Sequence, residues 1–205
     1  MAAEMSRVER KRAEARSRIL AATERLSEEK SLDQITIQDI TDAADVGHGS
    51  FYLHFKTKFD VLVPIVRQRA EAMDDRYQEL TAEIDDPAEV MAISARLMSR
   101  EIIKDPLWCW FLEHSGMPLE QMRRAFGRFS QRDLDKGLAT GRFTVKDLET
   151  TIQFGFGGFI NLLMVSLNQD AVESVIDDAV ELLLTVLGID RKEAAVLAHG
   201  ELPVY

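Results

Sequence analysis

A single cysteine, Cys109, excludes an internal disulfide and fits a reducing compartment. Prolines number five and glycines eleven, and most of them sit where helical patterns end. No convincing strand alternation, repeat or low-complexity tract is present. The longest nearly apolar run, Phe154 to Leu167, is shorter than the ~20 residues a bilayer requires, so no membrane partner is expected. The opening MAAEMSRVERKRAEAR lacks an apolar core, which argues against a signal peptide and for a cytoplasmic protein. His114 and His199 have no companions at ligand spacing, so no metal site is expected. The run GFGG at Gly155–Gly158 lacks the Lys-Ser/Thr of a phosphate loop. No nucleophile–base pair or paired carboxylates suggest an enzyme, and no cofactor is implied.

The net charge of −10 disfavours a polyanionic partner until its distribution is read. Residues 1–60 carry ten Lys/Arg and eleven Asp/Glu, whereas residues 61–205 carry fifteen and twenty-four. Between residues 7 and 25, seven cations (Arg7, Arg10, Lys11, Arg12, Arg16, Arg18, Arg25) face three acids. Such a stripe suits a polyanion, or it is a solvated face of charge pairs.

Helical spacing predicts an all-α chain. Ser6 to about Lys30 forms the first helix, with Ile19, Ala22 and Leu26 apolar. Thr36 caps Ile37–Ala44, with Asp39 favourably near the helix dipole and Ile37, Ile40 and Ala44 inward. Asp45-Val46-Gly47 breaks that helix, with Asp45 left-handed and Gly47 capping the next, His48 to about Phe55. Thr57-x-x-Asp60 resembles a capping box and opens a helix to about Leu80. Further helices are expected from Pro87 to about Lys104, Leu107 to His114, Leu119 to near Gly141, Thr144 to about Asn168, and Ala171 to Leu187. Gly188 ends the last of these, before a short helix and a tail.

Two short helices across a three-residue turn, behind a longer helix, make a helix-turn-helix. Phe51 and Phe55 face inward. His48, Gly49, Ser50, Tyr52, Leu53 and His54 are left outward, a set of short donors with one apolar tip. Donors suit phosphate, and an apolar tip suits a thymine methyl.

The run ITIQDITDAADVGHGSFYLHFKTKFDVL, Ile35 to Leu62, resembles the tetracycline-repressor (TetR) family of bacterial transcription regulators. Thr36, Ala43, Ala44, Val46, Phe51, Tyr52, Phe55, Lys56, Lys58 and Leu62 carry the match. Three positions depart: the family usually has Gly at Asp45, Ser or Thr at Gly47, and often Lys or Arg at His48. The resemblance implies a helix-turn-helix domain over 1–60 and a helical ligand-binding and dimerisation domain over 61–205. It implies that Thr36, Gln38, Gly47, His48, Gly49, Ser50, Tyr52, Leu53, His54 and Lys58 meet double-stranded DNA, with Tyr52 and Lys58 on phosphate. The DNA would be a palindromic operator, the protein a homodimer, and the function repression relieved by a small-molecule effector.

The family's inducer domain gives a role to an aromatic set that is otherwise plain core. Trp108, Trp110, Phe111, Met117, Met122, Phe126, Phe129 and Phe156 are the pocket candidates, with Arg100, His114 and Asn161 as polar anchors. They suggest an apolar or aromatic ligand. Cys109 reads as a buried, inert thiol. The Thr144–Asn168 helix has a bulky stripe (Ile152, Phe156, Ile160, Leu163, Leu167) and a small-residue stripe (Thr151, Gly155, Gly158, Leu162, Ser166). The family's four-helix dimer bundle then implies an interface through Gly155, Gly158, Leu162, Val175, Ala179 and Leu183. The competing class is a small-molecule carrier or enzyme with a vestigial three-helix head.

Overall fold

A computed structural model describes residues 6–114, 131–167 and 172–203. All regular structure among these is helical. The chain divides into two compact units, Met1–Gln68 and Arg69–Tyr205.

The first unit holds α1 (Arg7–Glu29), a short 3-10 turn (Leu32–Gln34), α2 (Ile37–Ala43), α3 (His48–Tyr52) and the start of α4 (Lys58–Leu80). Ser6 and Glu9 close a capping box on α1, and Thr36 and Asp39 close another on α2. The backbone N–H of Thr36 is the main cause that holds the Asp39 carboxyl down to about 2, joined by Lys30 and the Thr36 hydroxyl. Thr57 and Asp60 make the third box, at the head of α4. Ile19, Ala22, Ile35, Ile40, Ala44, Phe51, Phe55, Leu62 and Val66 are buried. Ile37 is only half-buried, and Ile35 takes the inward place expected of it. The third helix also stops short of Phe55. It ends at Tyr52, where the His54 N–H turns back to the Phe51 carbonyl at 2.9 Å.

In the second unit α5 is Pro87–Ile102, α6 is Pro106–His114, and α7 contains helical residues 131–139. Then follow α8 (Leu148–Ser166), α9 (Val172–Val186) and α10 (Arg191–His199). Its core joins Ala88, Met91, Leu134, Phe143, Val180, Leu184, Leu187 and Ala194. The expected start of α8 at Thr144 is corrected to Leu148. Asp147 caps the helix through the Thr150 N–H, 2.8 Å away, while the Thr144 N–H is used on the Leu187 carbonyl at 3.0 Å. By length and composition alone α8, 19 residues, reaches what a membrane span requires. Here it packs on α9 through Gly155 instead.

Candidate nucleic-acid interface and effector-domain surfaces

The turn between α2 and α3 follows from its chemistry. Asp45 is left-handed at φ 50. Its N–H bonds the Asp42 carbonyl at 3.2 Å and the Val46 N–H bonds Thr41 at 3.1 Å, the paired bonds of a Schellman ending. Arginines of α1 hold the same turn: Arg18 donates to the Asp45 carbonyl at 3.0 Å and Arg25 to the Ala43 carbonyl at 3.2 Å. Half-buried Val46 plugs it.

This fixes what α3 presents. Phe51 is fully buried, whereas Tyr52 is 50% and Leu53 69% exposed. The His48 ring meets Tyr52 edge-on at 5.2 Å. Gly47, His48 and Gly49 are exposed and Ser50 is half-buried. Gly47 caps α3 with no side-chain bond. Thr36 and Gln38 are exposed but engaged: the Thr36 hydroxyl is the α2 cap, and the Gln38 amide donates to Asp42 at 2.7 Å.

Two residues differ from the simple picture of donors aimed at phosphate. The Lys58 ammonium turns toward the carbonyls of Leu32 and Ile35, so it also caps the 3-10 turn, and burial lowers its pKa. His54 is half-buried with an unpartnered Nε2. Burial first, then the guanidiniums of Arg16 and Arg12, hold it below the ordinary histidine value. His54 therefore resists charging at the pH where a free histidine would charge.

In the second unit the expected pocket set divides. Trp108 and Phe111 are buried, edge to face at 6.3 Å. Trp110 is half-buried and stacked on His114 at 4.2 Å. Phe156 packs against the α5–α7–α9 core. Met117, Met122, Phe126 and Phe129 lie outside the described residues. Asn161 faces outward, and the Cys109 thiol, raised by burial, nears the Ile102 and Ile103 carbonyls. A solvent-open recess of about 180 Å³ lies elsewhere, lined by Gln78, Thr81, Val90, Arg132, Asp133 and Lys136. Beside it Arg132 grips buried Asp74 with both nitrogens, at 2.9 and 3.1 Å. Burial raises the pKa of Asp133.

The interface set divides as well. Gly155, Ala179 and Leu183 are buried within the subunit. A Cβ on Gly155 would stand 3.2 Å from Val186 and 3.3 Å from Leu183, so Gly155 is a packing glycine between α8 and α9. All three, expected at an interface, pack inside the subunit. Gly158 is exposed, and Leu162 and Val175 are half-buried. The open face of α8 carries Phe154, Gly158, Asn161 and Val165, and Leu182 stands out from α9.

Two family profiles match this chain. One, bacterial regulatory proteins of the tetR family, covers residues 19–63, and the other, the tetracyclin repressor-like C-terminal domain, covers residues 86–200, more than half of the sequence. The chain belongs to the TetR family. It is 22% identical over 170 residues to the HTH-type transcriptional repressor AcnR of Corynebacterium glutamicum, across 79% of this chain and 88% of that one. The structure of RolR in complex with resorcinol is 30% identical, with a TM-score of 0.84 over 95% of this chain and 98% of that chain. FadR of Thermus thermophilus, in complex with lauroyl-CoA, shares the fold at 19% identity and a TM-score of 0.69, over 85% and 96% of the two chains. This TetR-family chain is a DNA-binding transcriptional regulator and not an enzyme.

Sequence reasoning missed the charge clusters of this TetR-family effector domain. Asp74 and Arg132 are 58 residues apart. Asp177 receives both Arg96 and Arg100, 81 and 77 residues away, with the Arg96 Nε at 2.9 Å and the Arg100 Nη2 at 2.7 Å. No periodicity links such distant charges. An acid on the inward side of a mostly apolar helix, as Asp177 is beside Ile176 and Val180, was the available signal.

Proposed function

We propose that the chain is a homodimeric repressor that reads a palindromic operator through α3 and is released by a small hydroxylated aromatic effector. The observation that carries this is the outward display of Tyr52 and Leu53 on a five-residue helix whose Phe51 is wholly buried. Two large side chains exposed next to each other on so short a helix offer a contact surface to a partner. His48, Gly49 and Ser50 bring α3 toward the major groove, Leu53 meets a base edge, and Tyr52 and Lys58 contact phosphate. Dimerisation is supported by the exposed Phe154, Val165 and Leu182, with Gly158 allowing close approach of a second copy.

The effector reading rests on the recess beside Asp74 and Arg132. Its Asp133 carboxylate accepts from hydroxyl groups and Arg132 donates to them, around a partly apolar wall. RolR, with its resorcinol, is the similar protein that favours this class. An effector that binds one dimer geometry better draws the population away from the DNA-competent one. The protein would do this work in the cytoplasm. A shift assay with DNA upstream of its own gene tests both halves. A retarded band that a dihydroxybenzene dissolves is the expected result. A carrier or enzyme would retard no DNA at all.

A further inference from the structure

The first turns of α1 break several local rules at once. Residues 6–14 are exposed throughout, and Ala15 is the first buried residue of the helix. At 1.5 Å per residue, residues 7–14 extend about 12 Å before packing begins. The tetR-family match begins only at residue 19. These eight residues hold Arg7, Arg10, Lys11 and Arg12 against Glu9 and Glu14, in a chain whose net charge is −10. Glu9 is committed to the cap, accepting the Ser6 N–H at 2.8 Å, and Glu14 makes only a 3.8 Å exposed pair with Arg10. Arg7 and Lys11 are four residues apart, as are Arg12 and Arg16, so like charges stack along the helix and oppose it. Cations near a helix N-terminus also oppose the helix dipole. The Arg10–Glu14 pair that stands against these repulsions is long and exposed, and such surface pairs contribute little.

The inner end of this charge lies beside α3. Arg12 and Arg16 both act electrostatically on His54, and the Arg16 guanidinium stands 5.4 Å from the Phe55 ring. His54 and Phe55 follow α3 directly, so the cationic turns adjoin its end. Farther along the same helix, Arg18 and Arg25 are used on the carbonyls of the α2–α3 turn. The C-terminal arginines of α1 thus support the fold, and the N-terminal cations do not.

We propose that Arg7, Lys11 and Arg12 form an arm that binds DNA phosphates flanking the base pairs faced by α3. The proposal rests on the reading of α3 as the DNA-facing helix. Its chemistry is charge neutralisation, so it adds affinity and salt dependence without base preference.

The test compares the full-length protein with R7A/K11A/R12A and with R7K/R12K on a long operator duplex and on one trimmed to the base-read core. Each phosphate contact contributes about 0.9 to the log–log salt slope, so the triple variant should lose roughly 2–3 per subunit. Its affinity near ~100 mM salt should fall at least ~10-fold with base preference unchanged. The lysine variant should keep the slope. Trimming the flanks should weaken the wild type and leave the triple variant unaffected. Circular dichroism should match the wild type and the melting temperature should be no lower, because the three side chains are exposed and their charges oppose the helix. A triple variant with the wild-type slope on the long duplex would overturn the arm alone. A wild type that binds no operator would overturn the α3 reading and the arm with it.

Discussion

At the end of α2 the chain turns on Asp45, with φ 50; at the end of α9 it turns on Gly188, with φ 93. The hydrogen bonds are the same. Asp45 and Val46 bond back to Asp42 and Thr41, as Gly188 and Ile189 bond back to Thr185 and Leu184, at 3.0–3.2 Å in all four cases. The residues differ because the surroundings do. The Asp45 side chain is in open solvent, 3.6 Å from Arg18. A Cβ on Gly188 would stand 2.5 Å from the Thr144 backbone oxygen. One backbone geometry therefore tolerates Asp in the DNA-facing unit and demands Gly in the effector unit, where the strand of chain before α8 crosses the cap.

The largest effects are expected from adding bulk at glycines whose surroundings differ as sharply. Gly155 and Gly158 lie on one helix. Gly155→Trp must displace Val186 and Leu183, and we expect it to destabilise the second unit by more than ~3 kcal/mol. Gly158 has nothing within 4 Å, so Gly158→Trp should leave the subunit folded, make it monomeric by sedimentation, and abolish operator binding. A dimeric Gly158→Trp that binds normally would move the interface off this face.

Next comes the cap itself. Gly188→Ala combines a left-handed alanine with a backbone clash, and should cost about 2–4 kcal/mol by urea unfolding. Asp45→Gly should stay within about 1 kcal/mol of the wild type, because the relief of backbone strain offsets the lost pair with Arg18. Equal losses at the two sites would mean that both turns are under the same constraint.

These glycines also explain what was legible in the sequence. The helix-turn-helix could be read residue by residue because its determinants are local: the caps at Thr36 and Thr57, the left-handed Asp45, and Val46 in the turn. The second unit was legible as helices but not as faces. Gly155 and Gly158 are only about 60° apart around the helix, so the edge of the buried sector passes between them. Where it falls depends on how α9 lies against α8, which no single-helix pattern records. Ala179 and Leu183 are buried within the subunit for the same reason. The Asp74–Arg132 and Asp177 clusters depend on long-range packing still more.

On the DNA face, Leu53→Ala should cost about 1 kcal/mol and relax preference at one position per half-site. Tyr52→Ala should weaken all sequences alike. An unchanged operator logo for Leu53→Ala would remove it from base reading.

His54 sharpens the contrast between a surface donor and a half-buried one. Its pKa is lowered in the folded state, so the unfolded chain binds more protons once the pH drops below ~6.5. The contribution of neutral His54 to stability is therefore complete above that value and is lost as pH falls through it toward the depressed folded value. His54→Gln should melt with a smaller decline between about pH 7 and pH 5 than the wild type does. Identical declines would mean that His54 is as free to charge as a solvated histidine.

The smallest effect is expected at Gly47, the one glycine of the turn that the backbone does not require. Its φ of −66 and ψ of 146 suit any residue, and a Cβ there meets nothing within 4 Å. It caps α3 without a side-chain acceptor, at a position where the family usually has Ser or Thr. Gly47→Ala should change stability by less than about 0.5 kcal/mol, because the entropy it removes from the unfolded chain is offset by alanine being a poorer N-cap than glycine, whereas Gly47→Ser should stabilise by about 0.5–1 kcal/mol by also accepting an N–H of the first turn. Melting the three proteins separates the two contributions. Operator affinity then decides why glycine is present. If Gly47→Ser is more stable but binds DNA more weakly, the bare backbone is there to let phosphate approach the start of α3. If stability and affinity rise together, Gly47 has no role at the interface, and the DNA contact assigned to it is wrong.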